Sequence, residues 1–271
     1  MSEEHLQVSI ADGVAVMTMN RPDVLNALSP SMMGAMVETV TRCADDDSVG
    51  CIVLTGAGRG FCSGGDVRAM ATRTSGDASA DPRGATLEAK VESLRRRMET
   101  SRLLHESPKP TIAMINGPAA GAGLSLALAC DMRFMASGAR LSTAFANVGY
   151  SGDFGGSYFL SHLVGTAKAR ELYFLADRID SAEALRLGIV NRVHADAELR
   201  EETMAVAKRI ANGPKVAYRY MKRNFNAAEH GSLRECFDTE AFGHTRTGET
   251  EDHKEASRAF VEKRTPVFKG R

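Results

Sequence analysis

The sequence predicts an α/β fold, and three observations carry that expectation. Apolar runs of strand length stand at residues 51–54 and 112–115, and each leads through a turn of small residues into a stretch of good helix formers. Alternating apolar patterns at residues 6–10 and 14–19 precede them. Beyond Asp196 no strand pattern remains and helical patterns take over. The chain therefore divides into a core over residues 1–200, built from repeated strand–strand–helix units, and a helical C-terminal region over residues 201–271. No repeat of fixed period accompanies these units.

Each element has a local reason. Ala11, Asp12 and Gly13 form a hairpin turn between the first two strands. Ser29 followed by Pro30 is an N-cap with a first-turn proline, and Met33, Met36, Val37 and Val40 form the stripe of a helix that fails at Asp45-Asp46-Asp47. Residues 72–82 are small, polar and unpatterned and read as a surface loop or a lid. Leu87, Val91, Leu94 and Met98 mark a helix that can continue through Leu104, until Ser107-Pro108-Lys109-Pro110 breaks it. Strands follow the central turn at 132–136 and 140–143, then an irregular loop at 144–157. Helices are expected at 166–176 and 181–187, and an edge strand at 189–193. Four further helices are expected at 197–211, 215–228, 233–243 and 252–263.

Composition excludes several classes. Lys+Arg and Asp+Glu both number 34, which gives no support for a nucleic-acid or membrane-surface protein. No apolar run approaches the ~20 residues that span a bilayer. No secretory signal is visible at the N-terminus. The five cysteines show no C-x-x-C spacing and read as reduced thiols, pointing to the cytoplasm. The seven histidines show no metal-ligand spacing, so no metal is expected.

Chemistry concentrates in two stretches. One runs from Thr111 to Asp131, with the turn Asn116-Gly117-Pro118-Ala119-Ala120-Gly121-Ala122-Gly123. The other runs from Cys51 through Gly56-Ala57-Gly58-Arg59-Gly60 to Phe61-Cys62-Ser63-Gly64-Gly65-Asp66. A strand, a small-residue turn and a helix leave bare N–H groups at the positive end of a helix, where an oxygen that gains charge can sit. Two such turns suggest an oxyanion hole with one donor from each; two tight turns with glycine for geometry alone is the other reading. The glycine spacing at 56–60 does not fit a dinucleotide fingerprint. Cys62 names no histidine partner and reads as a packing residue, and Arg95-Arg96-Arg97 as a solvated helix face.

The chain as a whole resembles the crotonase family, the enoyl-CoA hydratases and isomerases. The resemblance rests on Asn20-Arg21-Pro22 with Asn26-Ala27-Leu28, on the stretch from Leu54 to Asp66, on Asn116 to Asp131, and on Ala259-Phe260-Val261-Glu262-Lys263-Arg264. It implies a spiral of ββα units, a C-terminal helical region used in trimer contacts, a trimer or dimer of trimers, and acyl-CoA thioester substrates. It places the oxyanion donors at the backbone N–H groups of Gly65 and Ala122. It lines the thioester path with Ser63, Asp66, Val67 and Arg68, with Asp66 equally readable as an N-cap. It brings Phe260 and Lys263 to the adenine nucleotide. Coenzyme A belongs to the substrate, and no cofactor is implied.

The departures from a hydratase are informative. The two glutamates that activate water in the hydratases fall in register with Ser125 and Phe145, and neither can move a proton as a carboxylate does. The acid that remains in the irregular loop is Asp153, where isomerases of the family place a catalytic carboxylate. Within the family the resemblance is closest to the phenylacetate-pathway isomerases that turn a ring-1,2-epoxide CoA ester into an oxepin. The expected activity is movement of a double bond by one aspartate, with Phe145 as an apolar wall that raises its pKa. The competing readings are a hydratase with a rearranged site, an aspartate nucleophile as in aryl-CoA dehalogenases, and a non-catalytic acyl-CoA or RNA-binding member.

Overall fold

The computed structural model describes residues 4–66 and 86–271. The expected loop or lid at 72–82 lies outside the described residues. A six-stranded sheet forms the centre, in the order β1-β2-β3-β4-β6-β9. Its strands are β1 (Leu6–Ala11), β2 (Val14–Met19), β3 (Cys51–Gly56), β4 (Thr111–Ile115), β6 (Met132–Ala136) and β9 (Arg192–His194). β1 pairs antiparallel with β2, and every later pairing is parallel. The β1–β2 turn is Asp12-Gly13, with φ of 52° and 75°. Two positive φ angles match the twist of the flanking strands, which is why Asp-Gly suits the site. β3 and β4 are buried along their whole length. A parallel sheet is covered on both faces, so its strands read as unbroken apolar runs.

A small second sheet, in the order β5-β7-β8, joins β5 (Ala119–Ala120), β7 (Arg140–Ser142) and β8 (Ile179–Asp180). The helix α1 (Pro30–Asp45) starts where the Ser29 hydroxyl accepts from the Met32 amide at 3.2 Å. It buries Met32, Met33, Met36 and Val40 against the sheet. The expected single helix after residue 87 is two: α2 (Leu87–Arg97) and α3 (Glu99–Glu106). The central turn opens α4 (Ala122–Leu128), every residue of which is buried. α5 (Gly156–Val164), α6 (Thr166–Leu175) and α7 (Ser181–Arg186) follow, then α8 (Leu199–Ala211), α9 (Lys215–His230), α10 (Leu233–Gly248) and α11 (Glu251–Glu262).

Two expectations are corrected. The stretch read as irregular loop through Ser157 already enters α5, whose opening glycines hide the helical pattern. The edge strand is Arg192–His194 rather than 189–193; Ile189 and Val190 are buried in the turn that precedes it, and burial rather than strand pairing makes them apolar. α8 lies across the sheet, with Leu199, Thr203, Val206, Ala207 and Ala211 buried. No described helix is long and apolar enough to cross a membrane.

One buried cation ties the C-terminal helices to the strand that carries the central turn. Lys222 on α9, with 7% of its side chain exposed, donates to the carbonyls of Leu104 and Lys109 at 2.9 and 3.3 Å and to Asp131 Oδ2 at 2.8 Å. Asp131 Oδ2 also accepts from the Thr111 amide at 2.7 Å and its hydroxyl at 2.9 Å. Lys222→Met keeps the apolar stem but strands three acceptors. It is expected to lower unfolding free energy by about 3 kcal/mol, the lower end for a broken buried pair because Asp131 is partly solvated. The urea midpoint of the purified variant checks this.

Candidate active site

The first glycine-rich turn is locked by two asparagines. Buried Asn26 donates to the carbonyls of Ala57 and Gly60 at 2.9 and 2.8 Å and accepts from the Arg21 amide at 2.8 Å. Asn116 donates to the carbonyls of Gly56 and Gly58 at 2.9 and 3.0 Å. These bonds explain why Arg21 and Asn26 accompany that turn in the sequence. Their role is to hold backbone.

The two turns are stitched together through main chain. Cys62 bridges Ala119 in a parallel pairing. The amides of Phe61 and Cys62 donate to the Pro118 carbonyl at 3.1 and 3.2 Å, and the Ala120 amide donates to the Cys62 carbonyl at 2.9 Å. On the far side, the Leu28 amide donates to the Gly64 carbonyl at 2.8 Å. At Gly64 φ is +87°, and a Cβ there would lie 2.7 Å from the Ala120 carbonyl oxygen and 3.2 Å from the Ala122 nitrogen. A side chain at Gly64 would therefore force the turns apart.

Gly65 follows directly on Gly64 at this contact, and Ala122 is the first residue of α4. Among the described residues, neither amide donates to a protein acceptor. Both are the kind of bare donor that a helix start and a glycine turn leave behind. Ala122 carries a side chain without losing this donor, because the donor is backbone.

Asp153 sits on a sharply folded loop. Gly152, Phe154 and Gly155 around it have φ of +117°, +50° and +76°. Phe154 is buried, so a non-glycine residue is held in the left-handed region by packing. Asp153 Oδ1 is buried and has no hydrogen-bond partner among the described residues. Burial pushes the Asp153 carboxyl up to about 6, against a smaller opposing pull from the Arg97 guanidinium. The segment around Asp153 packs against the start of α4 from two sides. Gly156 packs on α4 so tightly that a Cβ there would lie 2.3 Å from Ser125 Oγ. The Phe145 ring lies near Gly121, where a Cβ would be 3.7 Å from it.

Tyr173 completes the cluster, and sequence reasoning missed it because it falls inside an ordinary helical pattern. Its ring stacks on Phe145, with centroids 5.7 Å apart and planes at 19°. A Cβ at Gly152 would meet its ring at 3.1 Å, and one at Gly156 would meet its hydroxyl at 2.4 Å. α6 is held there by the Thr143 hydroxyl, which donates to the Leu172 carbonyl at 2.8 Å. Burial first, and the Asp153 charge second, push the Tyr173 phenol up to about 12.

The other expected residues are placed as follows. Ser63 donates its hydroxyl to the Val24 carbonyl at 3.1 Å. Asp66 pairs with Arg21 at 3.2 Å. Val67 and Arg68 lie outside the described residues, as does any helix that Asp66 would cap. Phe145 is buried beside Tyr173. Phe260 and Lys263 lie at the end of α11, with Phe260 85% exposed, and neither has a hydrogen bond or ring contact with the cluster. Cys62 is buried, its thiol pushed up to about 12, which leaves it protonated and unreactive. Arg95 and Arg96 pair with Glu99 and Glu92 on or beside their own helix, as a solvated face does. Among the described residues, no group of three or more His, Cys, Asp or Glu could hold a metal ion.

Known proteins resemble the chain over its whole length. A family model described as "Enoyl-CoA hydratase/isomerase" matches residues 9–271. A probable enoyl-CoA hydratase of Rhodobacter capsulatus is 35% identical over all of both chains. The 1,2-epoxyphenylacetyl-CoA isomerase of Escherichia coli is 32% identical over 99% of each. The solved structure of a putative enoyl-CoA hydratase from Streptomyces coelicolor superposes with a TM-score of 0.90 at 34% identity, covering 100% of this chain and 96% of that one.

The Asp153 shift carries a stability consequence. A solvated aspartate titrates near ~3.9, whereas the native group holds its proton to about 6. Between those values the native state binds more protons than the unfolded chain, so stability falls as pH rises through this window and the full cost stands above it. Asp153→Asn is therefore expected to be more stable than the parent at pH 8, on the order of 1 kcal/mol after allowing for partial solvation. The difference should shrink toward zero at pH 4, as read from urea unfolding at both values.

Proposed function

Because the chain belongs to the enoyl-CoA hydratase/isomerase family, we propose that it is an acyl-CoA isomerase that moves a double bond with Asp153 as its one proton carrier. The thioester oxygen accepts from the Gly65 and Ala122 amides. Ionised Asp153 takes a proton from one carbon, the electron pair passes into the thioester as an enolate, and the same carboxyl returns the proton to another carbon of the conjugated system. No atom is gained or lost. The enolate charge develops where the two amides point, so they bind it more tightly than the neutral ester.

The observation that carries this reading is the Asp153 carboxyl: buried, without a partner for Oδ1 among the described residues, and pushed up to about 6. A structural aspartate in a glycine-rich loop spends its oxygens on backbone amides. An acid that must give and take a proton is served by a pKa close to the working pH. The Escherichia coli relative bears an isomerase activity in its name, which supports an aryl or ring-derived acyl group. Exposed apolar side chains on the C-terminal helices, among them Phe225, Phe237, Phe242 and Phe260, support a trimer or dimer of trimers. Free thiols and the enzyme class support a cytoplasmic setting.

The second reading is a hydratase with a rearranged site, favoured by relatives such as the short-chain-enoyl-CoA hydratase of Clostridium acetobutylicum, 35% identical over 93% of this chain. Incubation with 3-enoyl-, 2-enoyl- and ring-epoxide-CoA esters in heavy water separates the two. The isomerase exchanges deuterium without net hydration; rapid formation of 3-hydroxyacyl-CoA would reject it.

Two variants or conditions test the role of Asp153. Asp153→Asn should lower turnover by about 10²–10⁴-fold, the range for a lost general base, while thioester affinity changes little. Unchanged turnover would remove Asp153 from the mechanism. In the parent enzyme kcat/KM should rise through an acid limb centred at about 6, because the free enzyme must carry the carboxylate.

A further inference from the structure

The two amides proposed to hold the thioester oxygen meet at Gly64. The Gly65 N–H belongs to the peptide group that carries the Gly64 carbonyl, and the Ala122 nitrogen lies 3.2 Å from where a Gly64 Cβ would be. Gly64 sits at φ of +87°, and glycine turns about its backbone more freely than any other residue. The aim of the Gly65 amide must therefore be fixed from outside.

Both polar ends of Gly64 are held by the segment 26–28. Its carbonyl accepts from the Leu28 amide at 2.8 Å, and Leu28 and Gly65 form a parallel bridge. Its own amide donates to Cys62 Sγ at 3.4 Å, and the thiol in turn donates to the Asn26 carbonyl at 3.1 Å. The thiols of Cys51 and Cys130 stand farther from their carbonyls, at 3.9 and 3.7 Å. The anchor is firm, because the Asn26 side chain is itself bonded to the carbonyls of Ala57 and Gly60. Cys62 is wholly buried, so water does not compete for either bond. Burial also holds the thiol up to about 12, which keeps the proton it donates. From the other side the start of α4 confines it: a Cβ on Gly123 would lie 2.7 Å from the Cys62 Cβ.

We propose that Cys62 is a positioning residue of the oxyanion hole: its thiol, bonded between the Asn26 carbonyl and the Gly64 amide, acts with Leu28 to fix the peptide planes on both sides of Gly64 and so the direction of the Gly65 N–H. The role rests on the proposed binding of a thioester oxygen at Gly65 and Ala122. The sulfur does not touch the substrate, and no covalent step is asked of it. A thiol suits the place because it both donates and accepts, and because it needs no histidine partner for either.

The test uses a conjugated arylenoyl-CoA ester, whose absorption moves to longer wavelength when its thioester carbonyl is polarised. The parent protein should shift the band on binding. Cys62→Ala strands the Asn26 carbonyl and the Gly64 amide and should shrink that shift. With a turnover substrate it should lower kcat about 5–30-fold, a part of the roughly 10²–10³-fold that follows loss of a whole oxyanion donor. KM should stay within about 3-fold, since a misaimed donor counts most when the charge is fullest. Cys62→Ser restores a donor and an acceptor and should recover the shift and bring kcat to within about 3-fold of the parent. Asp153→Asn should leave the shift in place. A parent that shows no shift overturns both the thioester reading and the role of the thiol. A parent shift that Cys62→Ala leaves intact, or a loss that Cys62→Ser does not recover, overturns the role of the thiol alone. Should Cys62→Ala fail to fold, the infrared S–H stretch carries the test. The shortest thiol contact gives the lowest-frequency band, which should vanish in Cys62→Ser and move when the ester binds to the parent. A band that stays in place on binding overturns the role.

Discussion

The site depends on the backbone pairing between the turn that holds Cys62 and the turn that holds Ala119. Two N–H groups stabilise a growing negative charge only if both are already aimed at it, since reorienting dipoles during the reaction would consume the gain. Side chains cannot fix such an aim as firmly as main chain can. Here the Pro118 carbonyl receives two amides from the first turn, and the Cys62 carbonyl receives one from the second. Glycine at 64 and 123 is what lets the chains approach: a Cβ on Gly123 would sit 2.2 Å from the Cys62 carbonyl oxygen. Asn26 and Asn116 then clamp the loop that would otherwise loosen behind the pairing.

Opposite forces act on Asp153, and their balance sets its chemistry. α5 opens three residues beyond it, and a helix N-terminus favours a carboxylate by roughly 0.3–1 kcal/mol. Arg97 favours the ionised form as well, but it is exposed and its field is screened by water. Burial disfavours the charge and prevails, since the carboxyl rises to about 6. The left-handed φ angles of Gly152, Phe154 and Gly155 are the local cost of turning that side chain inward.

Much of this was legible in the sequence, for identifiable reasons. β3 and β4 announced themselves because a covered parallel strand must be apolar throughout. The Ser29-Pro30 helix start and the Asp12-Gly13 turn are local signals read without tertiary context. The bare amides followed from strand, small-residue turn and helix in succession. Elements that depend on the rest of the fold were hidden. α5 begins with glycines that suit a loop equally well, and β5 and β8 are two residues long. Tyr173 looks like any tyrosine in an amphipathic helix; only the folding of α6 against β7, through Thr143, reveals what it faces. The clamping asparagines were visible as motif members, but their bonds span some thirty to sixty residues that a one-dimensional pattern does not connect.

The space around Ser125 argues about mechanism independently of Asp153. Adding water across a double bond needs room for that water and a second acid to orient it. In this chain the hydroxyls of Ser125 and Tyr173 both close on Gly156, to within 2.4 Å of where its Cβ would be. The Phe145 ring, stacked on Tyr173, adds an apolar wall. A polar group placed there must spend its bonds on protein, as Ser125 does on Gly121. What the cluster keeps is one acid of raised pKa, Asp153, on the segment that packs against α4. The proposed isomerisation asks only that this acid take a proton from one carbon and return it to another.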